Sequence, residues 1–302
     1  MPMTNVLAGP AKAEPARRSS APKSRGYWGS VWRRMRYDYV TLFCLALILA
    51  VALVAIFAPE LAPMDPYKSS MAHRLKPIGF RGHWLGTDEQ GRDMLSRLMY
   101  GGRVSLTMGV LPVALATLVG GLFGVIAGYF GGRINMAIMR SMDVFFAFPS
   151  VLLAVAISGS LGGGTFNQIL TLTIVLIPPI CRVAETATSQ VRTMDFVDAA
   201  RSTGASTTSI ITTHVLINVM SPVLVYASTL VSVSIILASG LSFLGLGVSP
   251  PTADWGLMLS TLRQSIYVQP LVSAIPGVAI LVTSIAFNLL SDGLRQAMDV
   301  RA

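Results

Sequence analysis

The residues best suited to bind a partner lie in one polar segment, residues 192–218, which reads RTMDFVDAARSTGASTTSIITTHVLIN. Asp195 is placed to cap a short helix, with Asp198 at the third position as in a weak capping box. Gly204 can end this helix in a left-handed conformation, and a second short helix from about Ser206 leads into an apolar run. The pattern predicts a helix, a turn and a second helix.

The first of these helices carries a small apolar face made of Phe196, Ala199 and Ala200, flanked by Asp198 and Arg201. Small alanines let another chain come close, and a carboxylate gives a directional contact. Two interpretations remain open at this point. The segment is either a solvated connector or a knob that docks in the groove of a partner protein.

Sequence patterns of common catalytic sites are missing from the chain. It contains no His-Glu-x-x-His, no Gly-x-Ser-x-Gly, and no lysine that follows a glycine as in a phosphate-binding loop. Its long apolar runs lack the titratable side chains that a proton-coupled pump needs at mid-bilayer. His214, at the edge of the fifth run, fits an interfacial histidine. Sodium coupling through backbone carbonyls remains open, because it needs no charged side chain.

The composition is typical of a membrane protein. Hydrophobic residues make up 53% of the 302 residues and charged residues only 12%, with a mean hydropathy of +0.63. A typical soluble domain is about one-quarter charged. A wholly soluble protein, a disulfide scaffold and a disordered chain are therefore excluded. Cys44 and Cys181 lie in apolar surroundings and are interpreted as free, buried thiols.

Six apolar runs predict an all-α integral membrane protein with six transmembrane helices. The first run, residues 40–61, is long enough to cross a hydrocarbon core of roughly 30 Å. Residues 62–103 form a polar segment, residues 104–291 a core of five helices that includes the loop 192–217, and residues 292–302 a charged end. The distribution of Lys and Arg favours both termini and the loop inside the cell, with residues 62–103 outside.

Residues 1–39 are predicted to be a disordered, basic cytoplasmic tail, because their Ala, Pro, Ser and basic residues cannot bury a core. Trp28 and Trp32, together with neighbouring arginines, fit an interfacial anchor just before the first helix. An organellar transit peptide is the alternative interpretation of this composition.

Two regions outside the loop carry further structural expectations. Four glycines of one predicted helix are spaced so that another backbone can approach, namely Gly120, Gly121, Gly124 and Gly128. The segment from Met64 to Arg103 is either a docking surface for a partner or a cap that seals the outer side. Local ion pairs are expected there among Asp88, Arg92, Asp93 and Arg103, and Trp255 with Pro250 and Pro251 is expected to form a rigid outer corner.

The loop resembles a known motif. The stretch FVDAARSTGASTTSIITTHVLIN is similar to the EAA loop in permease subunits of binding-protein-dependent ABC importers. Two further stretches, HWLGTDEQGRDMLSRLMYGGRVSL (residues 83–106) and LSFLGLGVSPPTADWGLML (residues 241–259), resemble the C-type permease of the dipeptide, oligopeptide and nickel importers. AGYFGG and FNLLSDGLRQAMD, near residue 130 and the C-terminus, support the same resemblance.

The resemblance implies a type I (MetI-like) importer fold in the inner membrane of a bacterium. A second permease would complete the pathway, one or two ATPases would bind ATP and Mg²⁺, and an extracytoplasmic binding protein would deliver the substrate. This chain would itself have no ATP site, no cofactor and no enzymatic activity. The residues expected to contact the ATPase are Phe196, Asp198, Ala199, Ala200, Arg201, Gly204, Ala205 and His214.

Two residues depart from the family pattern. Asp198 stands where glutamate is usual, so its carboxylate reaches less far, and Ile217 stands where a proline is usual, which predicts a straighter helix at the junction. The cargo expected from the resemblance is a dipeptide or oligopeptide. Nickel complexes, glutathione, opines and sugars are the alternatives within the family. A stand-alone sodium-coupled carrier or channel is the alternative of another class.

Overall fold

The computed structural model describes residues 29, 33 and 35–298. Apart from two isolated β-bridges, the regular structure of these residues is helical. The helices are α1 Tyr39–Ile56, α2 Ala58–Leu61, α3 Met94–Phe130, α4 Gly132–Phe146, α5 Ser150–Leu161, α6 Thr165–Arg192, α7 Asp195–Ser202, α8 Thr207–Phe243, α9 Trp255–Thr261 and α10 Pro270–Met298, with 3-10 turns at Met71–His73 and Arg263–Tyr267. Most of the predicted tail, with Trp28 and Trp32, lies outside the described residues, as do residues 299–302.

Five of these helices, α1, α3, α6, α8 and α10, are long and apolar enough to cross a membrane. A sixth span exists when α4 and α5 are counted together, since this pair is bent by 87° at the break between its two helices. With 12 residues, α5 alone is only about 18 Å long, which is too short for a core of roughly 30 Å. The all-helical membrane fold is confirmed: five of the six predicted spans are single helices, and the remaining predicted span corresponds to the bent pair α4–α5.

The second span begins earlier than the apolar run that predicted it. Helix α3 starts at Met94, so the last residues of the predicted polar segment 62–103 are already helical. Asp93 caps this helix by accepting a hydrogen bond from the backbone N–H of Ser96 at 2.8 Å. With its 37 residues, α3 is about 55 Å long, so both of its ends extend beyond the hydrocarbon core.

Helices α3 and α6 meet at three glycines, Gly120, Gly124 and Gly128. A Cβ atom at any of them would lie 2.4–2.7 Å from a backbone carbonyl oxygen of α6. The close approach predicted from the spacing is confirmed for these three residues. It is wrong for Gly121, where a Cβ atom would meet nothing within 4 Å because this residue faces away from α6.

Helix α1 packs along α10. Cys44 and Ile48 lie in one apolar cluster with Ala286, and a Cβ atom at Gly293 would collide with the side chain of Thr41. Asp38 caps α1 through the backbone N–H of Val40. Both cysteines of the chain are free and buried, as predicted, with Cys44 on α1 and Cys181 on α6.

The polar segment between α2 and α3 is held by buried ion pairs. Asp88 lies 2.6 Å from Nε of Arg92 and 3.2 Å from Nε of Arg97, and all three side chains are buried. Asp93 pairs with Nδ1 of His83 at 3.0 Å. Burial, with a smaller contribution from Asp88, raises the pKa of the neighbouring Glu89 carboxyl above its ordinary value of 4.5.

Of the ion pairs expected among Asp88, Arg92, Asp93 and Arg103, the pair of Asp88 with Arg92 is found, whereas Asp93 contacts His83 instead and Arg103 contacts no carboxylate in the described residues. Arg103 is exposed on α3, where it donates to the carbonyl oxygen of Ile56 at 3.4 Å and lies over the Tyr100 ring at 5.9 Å. The expectation for Arg103 is wrong because the helix has already begun and turns this side chain away from the carboxylates.

Asp254 and Trp255 fasten the loop after α8 onto α3. The indole N–H of Trp255 donates to the carbonyl oxygen of Leu98 at 2.9 Å, and the ring packs against Gly101. Asp254 accepts a hydrogen bond from Ser105 at 2.8 Å, and burial raises the pKa of its carboxyl. Trp255 is therefore a buried packing residue that holds the corner between two spans.

Gly124→Ala is expected to lower the thermal stability of the detergent-solubilised chain. The new methyl group would lie 2.4 Å from the carbonyl oxygen of Cys181, so α3 has to move away from α6. Overpacking of this kind costs about 1–3 kcal/mol. Melting curves measure the effect, and Gly121→Ala is the matched control on the open side of the same helix. Equal melting temperatures for the two variants would contradict the close packing.

Candidate functional site

Helix α7 ends in a Schellman motif built on Gly204. The N–H of Gly204 donates to the carbonyl oxygen of Arg201 at 3.0 Å, and the N–H of Ala205 donates to that of Ala200 at 3.1 Å. Gly204 adopts a φ of +81°, and a Cβ atom there would meet nothing within 4 Å. The left-handed end predicted from the sequence is confirmed, and backbone conformation alone accounts for the glycine.

The start of α7 differs from the sequence prediction. Met194 is the residue at the N-cap, and no side chain caps the helix there. Asp195 and Asp198 both lie inside the first turn, where their charges favour the positive end of the helix dipole. Asp198 instead accepts a hydrogen bond from Nη1 of Arg201 at 3.0 Å. The predicted capping role of Asp195 is therefore wrong.

One residue that the sequence analysis missed anchors α7 to the protein. Val197 is fully buried in the large apolar cluster, where it joins Tyr129 from the end of α3, Val191 from α6 and Val215 from α8. Ala200 is half-buried and packs against the same cluster. The signal was available, since Val197 and Ala200 are three residues apart and lie on one helix face.

The apolar face predicted from the sequence, Phe196, Ala199 and Ala200, does not lie on one side of α7 in the structure. Phe196 and Ala199 are exposed, whereas Ala200 faces inward. Phe196 lies 6.4 Å from the ring of His214, which is half-buried at the beginning of α8. The exposed side of α7 therefore presents an aromatic ring and small side chains, while the opposite side is fixed in the core.

Charged side chains on α7 remain accessible. The side chains of Asp198 and Arg201 are 64% and 42% exposed, so their ion pair contributes little to stability. The guanidinium of Arg201 also lies 5.7 Å from the centre of the Tyr129 ring, which connects α7 to the end of α3. An exposed ion pair next to an exposed phenyl ring is a surface suited to contact another protein.

The chain continues from α7 into α8 through an irregular helix. Ser206 caps the new helix at Ser209, and six residues, Ile210–Val215, are π-helical before regular α-helix resumes at Leu216. Ile217 lies in this regular part of α8, and Thr207–Phe243 forms one continuous 37-residue helix. The hydroxyl groups of Thr212 and Thr213 donate to backbone carbonyl oxygens four residues back, a contact that competes with regular helical bonding.

Polar contacts join α4 to α6 at the same end of the molecule. Asn135 donates to the Glu185 carboxylate at 2.7 Å, and Arg182 donates to the Asp143 carboxylate at 2.7 Å. These contacts hold the core into which Val197 inserts. Among the described residues, no three His, Cys, Asp or Glu side chains come together in a way that could hold a metal ion. The site is therefore a helix fixed in the core on one side and exposed on the other.

The geometry defines a class of protein. It is a multi-span membrane protein in which the polar connection between two spans forms a helix, α7, that is fixed in the core on one side and exposed on the other.

Residues 120–302 match the family described as "Binding-protein-dependent transport system inner membrane component". Residues 26–77 match the "N-terminal TM domain of oligopeptide transport permease C". The chain belongs to this family and is a permease subunit of a binding-protein-dependent ABC importer.

Two curated relatives illustrate the similarity over most of the chain. The glutathione transport system permease protein GsiD of Pectobacterium atrosepticum is 38% identical over 272 residues, which are 90% of this chain and 90% of the relative. The probable D,D-dipeptide transport system permease protein DdpC of Escherichia coli K12 is 39% identical over 272 residues, which are 90% of this chain and 91% of the relative. The resemblance inferred from the sequence motifs is confirmed.

A solved structure shares the fold. A chain from the inward-facing MetNI methionine ABC transporter aligns with a TM-score of 0.56 at 15% identity, covering 68% of this chain and 97% of that chain. The expected type I importer permease fold is therefore confirmed.

Gly204→Ala is expected to loosen the end of α7. The left-handed backbone costs a residue with a Cβ about 1–2 kcal/mol, so amide exchange at Gly204 and Ala205 should rise about 5- to 30-fold. Hydrogen–deuterium exchange of the detergent-solubilised chain measures this. Gly240→Ala is the matched control, because a Cβ there also meets nothing within 4 Å but the backbone is helical. Unchanged exchange in Gly204→Ala would show that the turn does not depend on glycine.

Proposed function

We propose that this permease pairs with a second permease to form the pathway of an ATP-driven importer of short peptides. One or two cytoplasmic ATPases bind and hydrolyse ATP with Mg²⁺, and an extracytoplasmic binding protein delivers the substrate. The membership of the chain in a family of binding-protein-dependent transport components supports this assembly. The sequence also lacks a Gly-Lys phosphate-binding loop, so the energy comes from another subunit.

The proposed contact with the ATPase is α7 and the residues that follow it. The docking residues are Phe196, Asp198, Ala199, Ala200, Arg201, Gly204, Ala205 and His214; of these, Ala200 and Ala205 are half-buried against the apolar cluster and would offer only their accessible edges. The arrangement that carries this proposal is the one-sided burial of α7, in which Val197 is fully buried and Asp198 on the other side is exposed. A helix fixed on one side in the core of its own subunit can present its other side to a partner without shifting.

Movement of the ATPase would reach the spans through shared packing. Val197 lies in the same apolar cluster as Val215 and Val219 of α8. If ATP binding and release favour two positions of α7, α8 has to follow, because close-packed cores transmit displacement. The nucleotide and the transport pathway are then two coupled sites of one conformational equilibrium.

The proposed docking of α7 also sets the orientation. Arg201 of α7 lies over Tyr129 at the end of α3, whereas the segment 62–93 precedes the start of α3. A helix of 37 residues, about 55 Å long, places these two regions on opposite sides of the membrane. With α7 in the cytoplasm of a bacterium, residues 62–93 face the outside of the inner membrane, and an even number of spans leaves both termini in the cytoplasm.

The proposed substrate class rests on the two relatives at 38% and 39% identity. One is named for glutathione, which is a tripeptide, and the other for D,D-dipeptides. Both compounds are short peptides with free charged groups. The long, apolar helices of this chain offer few charged partners for such groups, so we assign selection of the peptide to the binding protein.

Asp198→Arg is expected to abolish association with the ATPase and substrate uptake, while membrane insertion stays normal. The Asp198–Arg201 ion pair is exposed, so its loss has little effect on folding, but the charge offered to a partner is reversed. Copurification of the ATPase and uptake by whole cells are the measurements. Asp292→Arg is the matched control, because it makes the same charge change at an exposed carboxylate of α10. Unchanged uptake in Asp198→Arg would contradict the proposed contact.

Purification of the tagged full-length chain in mild detergent is expected to recover a second permease and one or two ATPases, identified by mass spectrometry. The tag belongs at the N-terminus, far in sequence from α7. Recovery of the chain alone, with uptake that persists in vesicles free of ATP, would contradict the importer assembly and favour an ion-coupled carrier.

A further inference from the structure

In the outer segment, residues 62–93, most carboxylates are buried or half-buried and most cations are exposed. Three of its four carboxylates are turned inward: Asp88 and Asp93 are buried, and Glu89 is 18% exposed and paired with Arg92. Asp65 is the remaining carboxylate and is exposed. The segment therefore presents few negative charges to solvent.

Four of the five Lys and Arg residues of the same segment face outward, and only Arg92 is buried with the carboxylates. Lys68, Arg74 and Arg81 are exposed, Lys76 is half-buried, and within the described part of the chain none of these four makes an ion pair. The burial of the carboxylates leaves these cations uncompensated. The exposed face of the segment is consequently basic.

Aromatic side chains stand among these cations. Lys76 and Arg81 lie 5.4 Å and 5.5 Å from the centre of the Phe80 ring. Trp84 is 71% exposed, so its indole ring is available to a partner beside these cations. Arginine and tryptophan are the residues most enriched among those that dominate protein–protein binding. Arg74, Lys76, Phe80, Arg81 and Trp84 are called the outer basic surface below.

A tight turn holds the outer basic surface in place. The N–H of His83 donates to the carbonyl oxygen of Phe80 at 2.8 Å, and the N–H of Gly79 donates to that of His83 at 3.0 Å. Arg81, inside this turn, has a positive φ of 41°, a conformation that costs energy for any residue other than glycine. Strained residues of this kind persist where the surrounding structure fixes them, so the turn is pre-organised.

We propose that the outer basic surface docks an acidic face of the substrate-binding protein. This inference rests on the proposed function and adds the contact on this chain and its chemistry. Uncompensated cations would steer an acidic partner to the membrane surface, and Trp84 would supply the apolar anchor of the contact. An anionic lipid headgroup is the competing occupant. A rigid, strained turn favours the protein, since attraction to a fluid headgroup layer needs no fixed geometry.

The test uses the complete importer in nanodiscs made only of zwitterionic phosphatidylcholine. The probe is the substrate-binding protein encoded with this chain, and its affinity for the nanodiscs is measured at several salt concentrations. Arg81→Glu and Trp84→Ala are each expected to weaken binding about tenfold or more, as for residues at the centre of an interface. Arg81→Glu should also flatten the salt dependence.

Arg263→Glu is the matched control for this test. Arg263 is an exposed arginine in the connection between α8 and α10, on the same side of the membrane, and is not part of the outer basic surface. It is expected to leave the affinity unchanged. Trp84→Ala keeps the inference testable if the charge reversal at Arg81 disturbs the turn, because the exposed indole contributes little to folding.

Three outcomes would overturn the inference. The first is equal affinity in all variants, and the second is an equal loss of affinity in Arg263→Glu. The third comes from a parallel measurement in nanodiscs that contain anionic phosphatidylglycerol: an effect of Arg81→Glu found only there would indicate a lipid surface. Loss of the ATPase from the unmodified complex is a different result and contradicts the proposed function itself. If the ATPase copurifies and basal ATP hydrolysis is normal, but Arg81→Glu and Trp84→Ala leave the affinity for the substrate-binding protein unchanged, only the docking surface is overturned.

Discussion

The close approach of α3 and α6 is the constraint on which the functional end of the molecule depends. The backbones of the two helices approach closely at Gly120, Gly124 and Gly128. A Cβ atom added to any of these glycines would lie only 2.4–2.7 Å from a carbonyl oxygen of α6. This contact brings Tyr129, at the end of α3, and Val191, near the end of α6, into one apolar cluster. A larger side chain at any of the three glycines would separate the two helices and open that cluster. The packing that receives Val197 therefore depends on glycines that begin next to Tyr129, at Gly128, and extend about two turns back along α3, to Gly120.

Helix α7 is held at its C-terminal end and on one of its faces. Val197 fixes the buried face, the Schellman motif at Gly204 satisfies the last carbonyl groups, and the guanidinium of Arg201 lies over the ring of Tyr129. The π-helical segment Ile210–Val215 then lies between this rigid helix and the regular part of α8. π-Helical turns within α-helices are frequent at functional sites. Here the segment joins α7 to the regular part of α8, and its last residue, Val215, packs in the same apolar cluster as Val197.

The sequence allowed correct predictions wherever the structure depends on local chemistry. Apolar runs predicted the spans, glycine spacing predicted the contact of α3 with α6, and Gly204 predicted the end of α7. The errors arise where distant residues decide. The polar segment was predicted to extend to residue 103, yet Arg97 lies buried in α3, paired with Asp88 nine residues earlier in the chain. The short α7 allows two apolar faces, and only the positions of α3, α6 and α8 show that Val197, rather than Phe196, is buried.

Carboxylates are exposed on α7 but mostly buried in the outer segment at the other end of the molecule. Asp198 is exposed on α7, whereas Asp88 and Asp93 are buried in the outer segment with Arg92 and His83. Burying ion pairs is weak evidence for stability, because the cost of removing the charges from water offsets most of their attraction. Apolar residues of similar size would hold the outer segment at least as well. What the buried pairs do change is the sign of the exposed charge, since carboxylates turned inward cannot neutralise Arg74 or Arg81. One end of the permease therefore presents cations and the other a mixed charged surface, which is the arrangement expected when each side recognises a different protein.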